Sequence, residues 1–173
     1  ISDSQKAYNK RVQKYYAEAE QYQNTVNASS DSKYAIPIPQ YAEGGSITSI
    51  WGVQSLGIDP TTGKELFLNR DGSVSSTWQA SQQVVLGNTE PKVQGSFGFN
   101  LGYRNWTLFA SFLYECGGQA YNQTLVDNVE NADIAYSNVD LRVLTDRWQK
   151  PGDITQLKDI KDRNATTLPS SRF

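Results

Sequence analysis

The chain has 173 residues, 18 acidic and 16 basic, with a net charge of −2; its pI of about 5.1 and the lack of a basic stripe exclude an electrostatic nucleic-acid surface. It holds no histidine and one cysteine, Cys116, so the commonest general base, the commonest metal ligand and an internal disulfide framework are all missing. Only 38% is hydrophobic, mean hydropathy is −0.58, and no apolar run approaches the ~20 residues of a transmembrane helix.

The chain starts at Ile1 and contains no methionine, so it reads as a piece of a longer product, and its lack of a signal peptide says nothing about compartment. Tyr8, Val12, Tyr15, Ala19 and Tyr22, with Tyr16 beside them, fall at helical spacing and predict a helix over 3–23. Ser2, Asp3 or Ser4 can cap its start and Asn24 or Asn27 its end. The tyrosine stripe suits a sugar-stacking platform or, more simply, packing against a neighbouring loop. Residues 28–40 read as a linker, with Pro37 and Pro39 fixing an extended path. A turn at 41–45 precedes SITSIWGVQSLG (46–57), which predicts one short strand. A small β-hairpin is expected over 65–78, turning at Asn69-Arg-Asp-Gly72 with the glycine at positive φ. Asp59, Asn69 and Asp71 invite a calcium reading, but counting an EF-hand loop from Asn69 puts Ala80 where the bidentate acid belongs. Turn chemistry is the better account.

Val93 to Cys116, VQGSFGFNLGYRNWTLFASFLYEC, organises the rest. Strict alternation marks two strands with unlike faces. A two-residue turn at Arg104-Asn105 pairs Tyr103 with Trp106, Leu101 with Leu108, Phe99 with Ala110 and Phe97 with Phe112. Slipping the register by one residue would destroy every apolar match. Each arm runs about eleven residues, near the ~9–11 of a tilted membrane-spanning strand. Tyr103 and Trp106 stand together at the turn, where an aromatic girdle would lie. Alternation alone also allows a hairpin from a soluble sandwich.

Beyond Gly117-Gly118, helices are expected over 123–131, with Leu125, Val126 and Val129 as the apolar side, and over 140–148, with Leu141, Leu144 and Trp148 inward. Asp140 would cap the second and Pro151-Gly152 would end it. Asn-x-Ser/Thr triplets at Asn27, Asn105, Asn122 and Asn164 read as chance in an Asn/Ser/Thr-rich chain. A carboxylate pair such as Glu65 and Asp71 would need fixed separation of ~5–9.5 Å to cleave glycans, and no spacing argues for one. No catalytic, cofactor-binding or metal-ligating residue is assigned, and an enzyme is not expected.

Three stretches, 43–72 (EGGSITSIWGVQSLGIDPTTGKELFLNRDG), 84–133 and 138–153 (NVDLRVLTDRWQKPGD), together resemble the SusC/RagA family of TonB-dependent outer-membrane receptors of Bacteroidetes. The resemblance implies a mainly β chain with a few short helices, a fragment of a 22-stranded transmembrane β-barrel. One spanning hairpin (93–103 and 106–116) would lie between extracellular loop regions at 1–92 and 117–173. It also implies import of glycan oligosaccharides, or peptides, under a SusD-like surface lipoprotein, driven through a TonB complex that parts outside this chain would contact. No cofactor is implied. On this reading Val93, Phe97, Phe99, Leu101, Tyr103, Trp106, Leu108, Phe112 and Tyr114 face lipid. Gln94, Ser96, Asn100, Thr107, Ser111 and Glu115 face the lumen or plug, with Phe109 and Leu113 as apolar plug contacts. The substrate-binding residues stay open, with Tyr41, Trp51, Tyr121 and Tyr136 as unassigned stacking aromatics. The alternative is a soluble β-rich carbohydrate-binding or adhesion module holding the hairpin in its core.

Overall fold

Ser2 starts the first helix by the reciprocal bonds of a capping box. Gln5 N–H donates to Ser2 Oγ (3.3 Å), and Ser2 N–H donates to Gln5 Oε1 (2.8 Å). The helix, α1, covers Asp3–Gln23. The computed structural model describes residues 1–23, 36–132, 134, 138–164 and 168–173. The expected helix end at Asn24 or Asn27, the first part of the linker and Tyr136 lie outside these residues.

The chain is mainly β, with a few short helices besides α1. The described part of the tyrosine stripe packs on the core. Val12, Tyr16 and Ala19 are buried with Val53, Phe67, Trp78 and Leu168, while Tyr8 and Tyr15 pack at the edge. Tyr16 meets Trp78 at 5.5 Å between ring centroids. Its hydroxyl donates to Ile36 O (3.1 Å) and accepts from Ile38 N–H (3.0 Å), which pins the proline segment to the helix. Burial pushes this phenol up to about 12, because the phenolate would lose its hydration.

The expected single strand over 46–57 is instead two strands in two sheets. Strand β1 (Ser49–Gly52) pairs antiparallel with β5 (Val84–Asn88). Strand β2 (Gln54–Ile58) pairs with β3 (Glu65–Leu68), and β3 with β4 (Val74–Ser75). Val53 divides them because it is fully buried and its backbone serves a distant segment. Val53 N–H donates to Pro169 O (3.0 Å), and Ser171 N–H donates to Val53 O (3.0 Å). Gly52 makes room for that segment, since a Cβ there would stand 2.7 Å from Leu86 Cδ1 and 2.9 Å from Pro169 O. The small hairpin turns as expected, with Gly72 at φ +85°, but β4 is only two residues long. Trp78, expected in that arm, is buried and donates Nε1–H to Pro169 O (2.9 Å).

Among the helices after the hairpin, the first forms nearly as expected: α2 (Gln123–Leu125) runs into a π-turn over Val126–Glu130. Asn122 caps it by accepting from Leu125 N–H (3.0 Å). The second does not run over 140–148; α3 covers Arg142–Thr145 alone. Its buried residue is Val143, while Leu141 and Leu144 are exposed. Asp140 accepts from Arg142 N–H (2.9 Å) just outside the helix and is not its N-cap. The far end is taken by tertiary partners: Trp148 lies against Gly63 and donates Nε1–H to Pro60 O (2.8 Å). Such long-range bonds outweigh the fraction of a kcal/mol that helix propensity offers per residue. Val129, Ala132, Val143 and Leu157 form a second apolar cluster.

Candidate functional site: an uncovered hairpin on a packed cap

Strands β6 (Val93–Tyr103) and β7 (Trp106–Cys116) form a sheet of their own. The register matches the expected one at every rung, from Val93–Cys116 to Tyr103–Trp106. Arg104 turns the chain at φ +53°, and its guanidinium lies over the Tyr103 ring at 5.3 Å. The apolar face is laced by cross-strand pairs. Phe97 and Phe112 stack at 5.0 Å, and Phe112 also reaches Phe99 at 6.3 Å. The Tyr114 ring lies across Gly95, where a Cβ would stand 2.6 Å from the hydroxyl. That cover restores apolar surface that the glycine itself cannot supply.

Every residue assigned to lipid is solvent-exposed. Val93, Phe97, Phe99, Leu101, Tyr103, Trp106, Leu108, Phe112 and Tyr114 lie on one face, and exposure reaches 80% at Trp106. On the other face Gln94, Ser96, Asn100, Thr107, Ser111 and Glu115 are exposed too, with Phe109 and Leu113 rising between them at 68% and 76%. Nothing in either apolar cluster comes from the hairpin. A face this apolar costs roughly 1.5–3 kcal/mol for each large side chain left in water. Monomeric soluble proteins rarely show such a patch. The hairpin joins the rest at its base, where Lys92 N–H donates to Cys116 O (3.0 Å) and Gln119 N–H to Asn88 O (2.9 Å).

The two flanks, by contrast, pack on each other, and the contact is charged as well as apolar. Arg172 Nη2 donates to Glu65 Oε2 (2.9 Å) and to Glu130 Oε1 (2.7 Å), and all three side chains are at most 8% exposed. Ser170 Oγ donates to the other Glu65 oxygen (2.8 Å), and Arg172 Nη1 donates to Gln156 O (2.7 Å). Burial alone would lower the Arg172 pKa; the two carboxylates outweigh it and hold the proton more firmly than usual. Lys158, buried nearby, is pushed down by desolvation against the pull of Glu130 and Glu65. Arg147 donates to the carbonyls of Val129 (2.7 Å), Glu130 (2.8 Å), Val143 (3.2 Å) and Lys158 (3.2 Å), which ties off the π-turn. Neither Arg172 nor Glu130 stands out in the sequence, because a network gathered from residues 65, 130, 170 and 172 has no local period.

The remaining expectations find structural roles. Glu65 is committed to Arg172, while Asp71 accepts from Ser73 N–H (2.9 Å) and Ser73 Oγ (2.6 Å) within its own turn. Asp59 does the same with Thr61 and Thr62. These bonds hold both carboxyls below the usual range. Among the described residues no group of acidic, histidine or cysteine side chains could hold a metal ion, and no helix is long and apolar enough to cross a membrane. Tyr41 meets Tyr8 edge-on at 5.4 Å and Tyr121 meets Phe173 at 6.3 Å, so part of each stacking face is already used. No protein-family pattern, curated protein or solved structure matches the chain.

Proposed function

We propose that this chain is part of a SusC-like TonB-dependent outer-membrane transporter. Its β6–β7 hairpin is two neighbouring strands of a 22-stranded barrel wall. Its flanks are the extracellular loops beneath a SusD-like lipoprotein, and the cargo is a glycan oligosaccharide or a peptide. One observation carries the reading: a hairpin with eleven-residue arms whose register-matched apolar face is left uncovered by the described residues. Barrels of this kind keep turns short on the periplasmic side and loops long outside, which puts Arg104-Asn105 in the periplasm and the packed cap outside. The apolar cap clusters support the loop assignment, because the flanks have a core of their own.

The test is made on the full-length protein in intact cells. Cys116 is exposed at the outer end of the hairpin and is expected to react with a membrane-impermeant maleimide. With Cys116→Ser, a cysteine at Asn105 is expected to react only after the outer membrane is permeabilised. Recovery of the protein in the soluble fraction, or equal labelling at both sites in intact cells, overturns the proposal.

A further inference from the structure

A groove of about 450 Å³ opens beside the base of the hairpin, within the ~300–1,000 Å³ of small-ligand sites. Its walls are Ile36, Pro37, Pro39, Ile47, Ile50 and the Tyr121 ring. Ile36 and Ile47 are 51% and 71% exposed. The serine and threonine hydroxyls along the groove are already spent as donors. Thr48 Oγ1 donates to Asn88 Oδ1 (2.5 Å), Ser49 Oγ to Ser46 O (2.8 Å) and Thr89 Oγ1 to Thr48 O (3.3 Å). Two lining groups are exceptions among the described residues: the buried Tyr121 hydroxyl, which has no partner, and the amide of Gln123. Its Nε2 donates to Asp127 Oδ1 (2.9 Å), and a carboxylate only accepts, so the amide cannot flip. Its Oε1 is left buried with no partner among the described residues.

The groove therefore asks for an apolar body carrying few hydrogen-bonding groups. A sugar, with a hydroxyl on nearly every carbon, would bury most of them unpaired at a cost of about 1–3 kcal/mol each. The position of the groove narrows the choice. Thr89 and Ala120 line it, four residues before β6 and four after β7. Backbone bonds at Lys92–Cys116 and Gln119–Asn88 carry the hairpin pairing up to its edge. The groove thus begins where the apolar hairpin ends, at the level of lipid headgroups.

We propose that this groove binds the acyl chain of a membrane lipid, with a headgroup N–H or O–H donated to Gln123 Oε1. The inference rests on the membrane reading of the hairpin.

Spin labels test it on the full-length protein in bilayers, in a Cys116→Ser background, at Phe99→Cys on the hairpin, Ile47→Cys in the groove and Leu56→Cys on the cap. Accessibility to oxygen and to a polar nickel reagent is compared. The labels at 99 and 47 are expected to favour oxygen several-fold, and the label at 56 to favour nickel. If the label at 47 behaves like that at 56 while 99 stays in lipid, the groove inference falls and the hairpin reading stands. If 99 is also nickel-accessible, both fall. Native mass spectrometry adds a direct readout. The unsubstituted protein is expected to retain lipid and Gln123→Leu several-fold less, and undiminished retention in Gln123→Leu overturns the role of that residue.

Discussion

Arg172 is where the two flanks are held together, because one guanidinium answers two buried carboxylates from different parts of the chain. Replacing it by methionine strands Glu65 and Glu130 without their fork, at an expected cost of about 3–5 kcal/mol, measured as a lower urea midpoint. Arg172→Lys is expected to recover part of the loss, since one ammonium nitrogen can answer both carboxylates as Nη2 does, but Gln156 O then loses its Nη1 donor. Adding Glu65→Gln to Arg172→Met should recover part of the loss, because one stranded carboxylate goes and the buried Lys158 still faces Glu130. Asp140 offers a simpler test at the surface. The Arg142 side chain, at 2.8 and 3.0 Å, holds its carboxyl at about 2. A lowered folded-state pKa adds stability above the ordinary value, lost as pH falls through the folded one. That contribution is therefore present above about pH 4 and gone below pH 2. The carboxyl resonance of Asp140 is expected to titrate near 2 and to move up toward, without reaching, the ordinary ~3.9 in Arg142→Ala, where the backbone N–H bond remains.

At the scale of the element, the hairpin has two faces with opposite tolerance. Phe99 lies near the middle of β6 on the apolar face, and Asn100 beside it on the other. Under the proposed membrane reading, Phe99→Arg is expected to cost at least ~2–4 kcal/mol, the penalty of an arginine on a lipid face near the midplane. Asn100→Arg should stay within about 0.5 kcal/mol. Urea titration of the protein folded into bilayers measures both, and equal costs would reverse or abolish the face assignment. The hairpin was readable from residues alone because period and pairing are local. Once the Arg104-Asn105 turn is placed, each rung follows from the one before. The helix expected over 140–148 shows the reverse. Three apolar residues at the right spacing were outvoted by Val143 in the core and by Trp148 on Gly63.

At the scale of the whole molecule, a closely packed cap carries a ribbon that, among the described residues, shares no core with it. The segment 168–172 closes the cap. It bonds Val53 on both sides, takes the Trp78 indole and delivers Ser170 and Arg172 to Glu65. Gly52→Val would set a Cβ and two methyls against Leu86 and Pro169, and such overpacking costs about 1–3 kcal/mol. Native-state hydrogen exchange is expected to show the amides of Val53 and Ser171 losing protection together, with those of Phe97 and Phe112 unchanged. Loss of protection throughout the hairpin would mean that cap and ribbon are one cooperative unit.

By itself the sequence determined the long helix, the 69–72 turn and the complete register of the hairpin, because each depends on spacings of a few residues along one segment. It also marked which hairpin residues share a face. Only the tertiary structure decided that the described part of the tyrosine stripe packs on the core, that residues 46–57 split at Val53, that 1–92 and 117–173 pack as neighbours, and that Glu65 belongs to Arg172 and Glu130. Those outcomes depend on contacts between residues up to about a hundred positions apart. Burial and hydrogen bonding across such distances leave no period in the sequence, yet they are worth more than the local preferences they override.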